Sequence, residues 1–91
     1  MESIETVLRS FGLSPREIQV YLALLRIGTS PASIVARKIG LPRSTVHYTC
    51  QRLQRRGLIS MIEKKGTSVF SADNPNQLLT LLETQKQQFN L

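Results

Sequence analysis

Ninety-one residues are enough for one domain with a core of modest size. An apolar share of 41% beside 20% charged residues is globular, and no apolar run approaches the ~18 to 20 residues of a membrane span. The net charge is +6, and a single cysteine excludes both an intramolecular disulfide and a multi-cysteine metal site. The opening MESIETVLRSFG has early acidic residues and no long apolar centre, so it does not read as a signal peptide; a cytoplasmic chain is the expectation.

Ile4, Val7, Leu8 and Phe11 follow an i, i+3, i+4, i+7 pattern and predict an amphipathic helix over about 3–11, ended by Gly12. Leu13 to Ile18 is a dense start signal. Ser14 caps, Pro15 takes the first helical position, Glu17 completes a capping box and Leu13 can staple to Ile18. The second helix, about 15–27, should bury Ile18, Tyr21, Leu22 and Leu25 and stop at Gly28. Tyr21 is expected as a core aromatic with its hydroxyl near the surface. Ser30 and Pro31 read as cap and first residue of a short helix over about 31–39, with Ile34, Val35 and Ile39 inward. Gly40-Leu41-Pro42 then breaks the chain.

The next stretch, about 43–56, has Val46, Cys50 and Leu53 on one narrow stripe at i, i+4 and i+7. Polar residues occupy the rest of its circumference. Leu41 and Val46 suit a hydrophobic staple around Pro42, and Gly57 is placed to end the helix. Two short helices joined by a turn with a glycine make a helix-turn-helix. Behind it the period changes. Residues of about 58–63 and 67–72 read as two strands joined at Lys64-Lys65-Gly66, a hairpin with a basic tip. The fold expected is therefore mainly α with a small β-hairpin, a winged helix-turn-helix in a single domain. Asn74 and Pro75 open a last helix, about 75–89, in which Leu78, Leu82, Gln85 and Phe89 trace a seam. Its surplus leucines suggest a partner helix, most simply from a second subunit. Ile4, Val7, Leu8, Phe11, Leu78, Leu82 and Phe89 are the candidate dimer contacts.

The charge is confined. Between Arg37 and Lys65 stand Arg37, Lys38, Arg43, Arg52, Arg55, Arg56, Lys64 and Lys65 against Glu63 alone; the remainder is slightly acidic. Such asymmetry suggests a polyanion partner, most often nucleic acid.

Three pieces, LSPREIQVYLALLRIG, SPASIVARKIGLPRSTVHYTCQRLQRRGLI and SVFSADNPNQLLTLLE, resemble the amino-terminal winged-helix domain of TrmB-type transcriptional regulators. The resemblance covers about residues 11–83, and MarR- and ArsR-like regulators share much of the pattern. It implies a winged helix that docks on duplex DNA, usually as a homodimer. Many such proteins carry a larger sugar-binding domain. The 91 residues hold none, so sugar sensing is not part of the expectation. Family members often have Tyr where this chain has His47, with the aromatic shifted here to Tyr48.

A major groove admits a helix whose first turns reach base edges. Arg43, Ser44, Thr45, His47 and Tyr48 are the candidates there, followed by Gln51 and Arg52. Arg37, Lys38, Arg55, Lys64, Lys65 and Thr67 would position the protein on phosphates. His47 and Cys50 could in principle form a nucleophilic pair or a metal site. Cys50, however, shares the apolar stripe, and no second Cys or His exists to complete a ligand set. No catalytic residue, metal or cofactor is expected. Carboxylate pairs and glycine-rich phosphate loops are missing, which argues against an enzyme. The alternative function is a winged helix used for protein–protein interaction, which would want an apolar patch on the second helix of the helix-turn-helix.

Overall fold

In the computed structural model, residues 3–73 are described. The expected helix over 75–89, with Leu78, Leu82 and Phe89, lies outside them. The described residues form α1 (Ile4–Ser10), α2 (Pro15–Ile27), β1 (Ser30–Pro31), α3 (Ala32–Ile39), α4 (Arg43–Arg55), β2 (Ile59–Lys64) and β3 (Thr67–Ala72). The three strands make an antiparallel sheet in the order β1-β3-β2. This mainly helical arrangement with a small sheet is that of a winged helix-turn-helix.

Local chemistry sets most boundaries. Ser3 caps α1. The Ser14 hydroxyl accepts from the Glu17 N–H at 3.2 Å while the Glu17 carboxylate accepts from the Ser14 N–H at 2.9 Å, the predicted capping box. At the end of α4, Gly57 takes φ +78°; its N–H reaches the Gln54 carbonyl and the Leu58 N–H reaches Leu53, which closes the helix in a Schellman motif.

The start of α3 departs from expectation. Ser30 does not cap it and Pro31 is not its first residue. Both belong to β1, where Ser30 pairs with Phe70 and Pro31 with Val69. The Ser30 hydroxyl donates to the Gly28 carbonyl instead, and Pro31 stands at the cap position with no side-chain bond to the helix. A proline without an N–H is tolerated at the end of an edge strand, which β1 is.

The core gathers Tyr21, Phe70, Leu8, Leu24 and Leu53, each essentially without exposure. The expected inward face of α2 was too narrow. Val20, Ala23 and Leu24 are buried beside Ile18 and Tyr21, whereas Leu22 and Leu25 are only partly covered. The reason is that α2 is the central helix, packed by α1, α3, α4 and β3 on different sides. On α3 the buried stripe is Ala32, Val35 and Ala36 with Ile39 partly covered; Ile34 lies off that stripe and is 36% exposed, not buried. Val7 and Leu8 of α1 are closed off in the chain's own core, so among the α1 residues expected at a dimer interface only Ile4 and Phe11 keep surface.

Asp73 is tied down by three groups at once. Its N–H donates to the Leu58 carbonyl at 3.0 Å, its carboxylate accepts from the Ser60 hydroxyl at 3.0 Å, and its carbonyl accepts from the Tyr21 hydroxyl at 2.8 Å. The Tyr21 hydroxyl is thus buried with a partner rather than left near the surface.

Candidate nucleic-acid interface

The two sides of α4 differ completely. Val46, Cys50 and Leu53 have no exposure, and Thr49 joins them by donating its hydroxyl to the Thr45 carbonyl at 2.8 Å. Thr49 was not anticipated inside; a threonine can enter an apolar stripe when its hydroxyl bonds back along the helix. Arg43, Ser44, Tyr48, Gln51, Arg52 and Arg55 are exposed, with Tyr48 at 56%. Not one residue of α4 is acidic. Pro42 caps it without a side-chain acceptor, so no capping side chain claims the first-turn N–H groups and that end is electropositive.

Two clefts flank Tyr48. On one side Arg43, Ser44, His47 and Tyr48 line a cleft of about 570 Å³. On the other, Thr45, Tyr48 and Arg52 face Arg16 and Gln19 of α2 across about 640 Å³. Tyr48 is therefore a ridge between two concave strips. His47 is less available than its neighbours: its ring packs edge-on against Phe70 of the sheet at 5.7 Å. Cys50 is inert, because burial pushes its thiol up to about 12. Among the described residues no three His, Cys, Asp or Glu side chains gather into a metal site.

The hairpin tip carries Lys64, Lys65 and Thr67, all exposed. Lys65 and Gly66 both have positive φ, +51° and +78°, the geometry of a two-residue hairpin turn that follows the twist of the strands.

The family model described as a sugar-specific transcriptional regulator, TrmB, matches residues 8–76. The chain belongs to the TrmB family. It is 32% identical over 79 residues to the HTH-type sugar sensing transcriptional regulator TrmBL1 of Pyrococcus furiosus, covering 86% of this chain and 23% of that protein. The chain thus spans less than a quarter of that relative's length. Its fold is similar to that of TrmBL2, an archaeal chromatin protein, at a TM-score of 0.77 and 19% identity over 93% of this chain and 32% of that one. It is also similar to the Zalpha domain of Carassius auratus PKZ, solved in complex with Z-DNA, at a TM-score of 0.58 and 30% identity over 63% of this chain and 90% of that one. The TrmB family is one of transcriptional regulators rather than enzymes.

Within this TrmB-family domain the basic residues sort into three groups. Arg43, Arg55, Lys64 and Lys65 are exposed on α4 and the hairpin, and Arg37 is exposed in the last turn of α3. Lys38 lines a separate cleft with Ala23, Arg26 and Ile27. Arg52 and Arg56 have partners inside the chain: Arg52 lies 3.8 Å from Glu17, and the Arg56 guanidinium donates to the Phe11 carbonyl at the end of α1. Arg16 was missed by sequence reasoning. It sits in the first turn of α2, far from the basic segment in sequence, and no local pattern shows that α2 begins beside the exposed face of α4.

Proposed function

We propose that this domain binds double-stranded DNA in transcriptional regulation, with α4 in the major groove and the hairpin as a wing on the backbone or minor groove. The observation that carries the reading is the outer side of α4: Arg43, Ser44, Tyr48, Gln51, Arg52 and Arg55 exposed together, without an acidic residue, on a helix whose other side is fully buried. Side chains near the start of such a helix reach base edges, and the cations around them grip phosphates. Arg43, Ser44, Thr45, His47, Tyr48, Gln51 and Arg52 form the reading set. Arg37, Lys38, Arg55, Lys64, Lys65 and Thr67 form the gripping set, with Lys38 the outlying member. The Z-DNA in the Zalpha complex is in keeping with binding of a nucleic-acid duplex by this fold, and the regulator family with a role in transcription.

The active form in this reading is a homodimer acting inside the cell, with recognition helices about 34 to 36 Å apart to fit successive major grooves. No described helix is long and apolar enough to cross a membrane. The protein-interaction alternative wants an apolar outer side on α4. Among the described residues, the large exposed apolar side chains are Ile34, Tyr48, Met61 and Ile62, and of these only Tyr48 stands there.

The test is fluorescence anisotropy with a labelled pool of random duplexes across a salt series. If each subunit neutralises about five phosphates, log K should fall with log salt at a slope near −4 to −5 per subunit. Arg43→Ala combined with Tyr48→Ala should weaken binding to the duplexes the wild type selects. Absence of binding at low salt would remove the proposal for this domain.

A further inference from the structure

Among the described residues, Glu17 is the one charged side chain that is buried, at 5% exposure. Its placement is fixed twice over. The capping box holds one carboxylate oxygen against the Ser14 N–H at 2.9 Å, and α2 is the central helix of the core. The second oxygen, Oε2, is buried and has no hydrogen-bond partner among the described residues. The charge beside it is Arg52 of α4, whose Nε lies 3.8 Å away. That is ion-pair range but longer than a hydrogen bond. A buried carboxylate oxygen without a hydrogen-bond partner is costly, so its charge draws the Arg52 guanidinium toward it. The same guanidinium stands 5.9 Å from the centre of the Tyr48 ring. Arg52 thus has a carboxylate on its Nε side and an aromatic ring beside its guanidinium, while its side chain stays 52% exposed.

This arrangement leaves the two Nη groups unclaimed by any hydrogen bond among the described residues. They form the paired-donor edge that recognises a guanine or a phosphate in two-point fashion. We propose that Glu17 is a positioning residue: it anchors Arg52 through Nε so that the guanidinium offers its Nη edge to a base in one fixed orientation. The proposal rests on the DNA-binding reading. It adds a sequence-selecting role for a buried residue that itself touches no DNA. Without the anchor Arg52 is a mobile cation, attracted to any phosphate within reach. Affinity for unrelated duplex is then kept while discrimination is lost.

The informative variant is Glu17→Gln. Glutamine at that position still completes the capping box, so α2 keeps its start and only the charge is removed. The first readout needs no DNA. In ¹H–¹⁵N spectra at mildly acidic pH, the Arg52 Nε–H should be a separate, slowly exchanging resonance in the wild type and join the averaged arginine signals in Glu17→Gln. The second readout uses a duplex chosen by the wild type from a random pool and an unrelated duplex of equal length. Glu17→Gln should lower the ratio of the two affinities by roughly tenfold, the scale of one two-point base contact, with unrelated-duplex affinity unchanged or raised. Arg52→Ala should lower the ratio as much, and the double variant no further. An Arg52 Nε–H already averaged in the wild type, or an unchanged ratio in Glu17→Gln, overturns the proposal. A wild type that binds no duplex while the Arg52 signal stays tethered overturns the DNA reading and leaves the anchor standing.

Discussion

Cys50 and Tyr21 are acids whose neutral forms the fold protects. Burial pushes both up to about 12, the thiol from 9.0 and the phenol from 10.0, with the Asp73 charge adding to the effect at Tyr21. Because the folded values lie above the unfolded ones, the stabilisation is complete below about pH 9 and is lost as pH rises through 12. Urea midpoints should hold level to about pH 9 and then fall, and Cys50→Ala with Tyr21→Phe should flatten that fall whatever it does to the plateau. The same burial governs reactivity. Iodoacetamide should label Cys50 in the native chain slower than in the unfolded chain by roughly three orders of magnitude or more, since attack requires opening. The direction of the Cys50 side chain was legible from its i+4 spacing to Val46. The burial of Glu17 was not: its place in the capping box is written in Ser14 and Pro15, but the helix that covers it is remote in sequence.

Two elements end in conformations that a single substitution can probe. Gly57 at φ +78° closes α4, and a Cβ there meets nothing within 4 Å, so the penalty in Gly57→Ala is purely conformational. It should cost about 1 kcal/mol in a denaturant melt. Lys65 holds φ +51° at the wing tip, a setting that costs an ordinary residue about 1–2 kcal/mol and asparagine less. Lys65→Asn should therefore raise the melting temperature while reducing the salt slope of DNA binding by about 0.9. Opposite signs in the two measurements would show a residue kept for its charge at the expense of its backbone. The strong local signals, a capping box and a hairpin turn, were readable in the sequence. The two-residue strand β1 was not, because Ser-Pro carries the same signature whether it caps a helix or pairs with Phe70 and Val69, some forty residues on.

At the scale of the molecule, the basic segment divides between surface and interior bonds. Arg56 belongs to the count that makes residues 37–65 look like a uniform polyanion-binding stretch, yet its guanidinium bonds the Phe11 carbonyl. Arg56→Ala should lower stability by about 1 kcal/mol and leave the salt slope of DNA binding where it was. Arg55→Ala, exposed one residue earlier, should do the reverse. Composition gives the sum of charges, and only the bond from Arg56 to the Phe11 carbonyl separates these neighbours.

Asp73 closes the described part of the chain, and its three bonds go to two different layers: Tyr21 of the central helix, and Leu58 and Ser60 at the root of the hairpin. These bonds tie the end of β3 to both layers at once. A pull on the chain at this point is not absorbed by a fraying strand end. It passes through Tyr21 into α2, whose first turn holds Glu17, and through Leu58 into the residue that closes α4. Under the proposed DNA-binding reading, such a load would reach the neighbourhood of α4 by both routes, and the hairpin tip lies on neither.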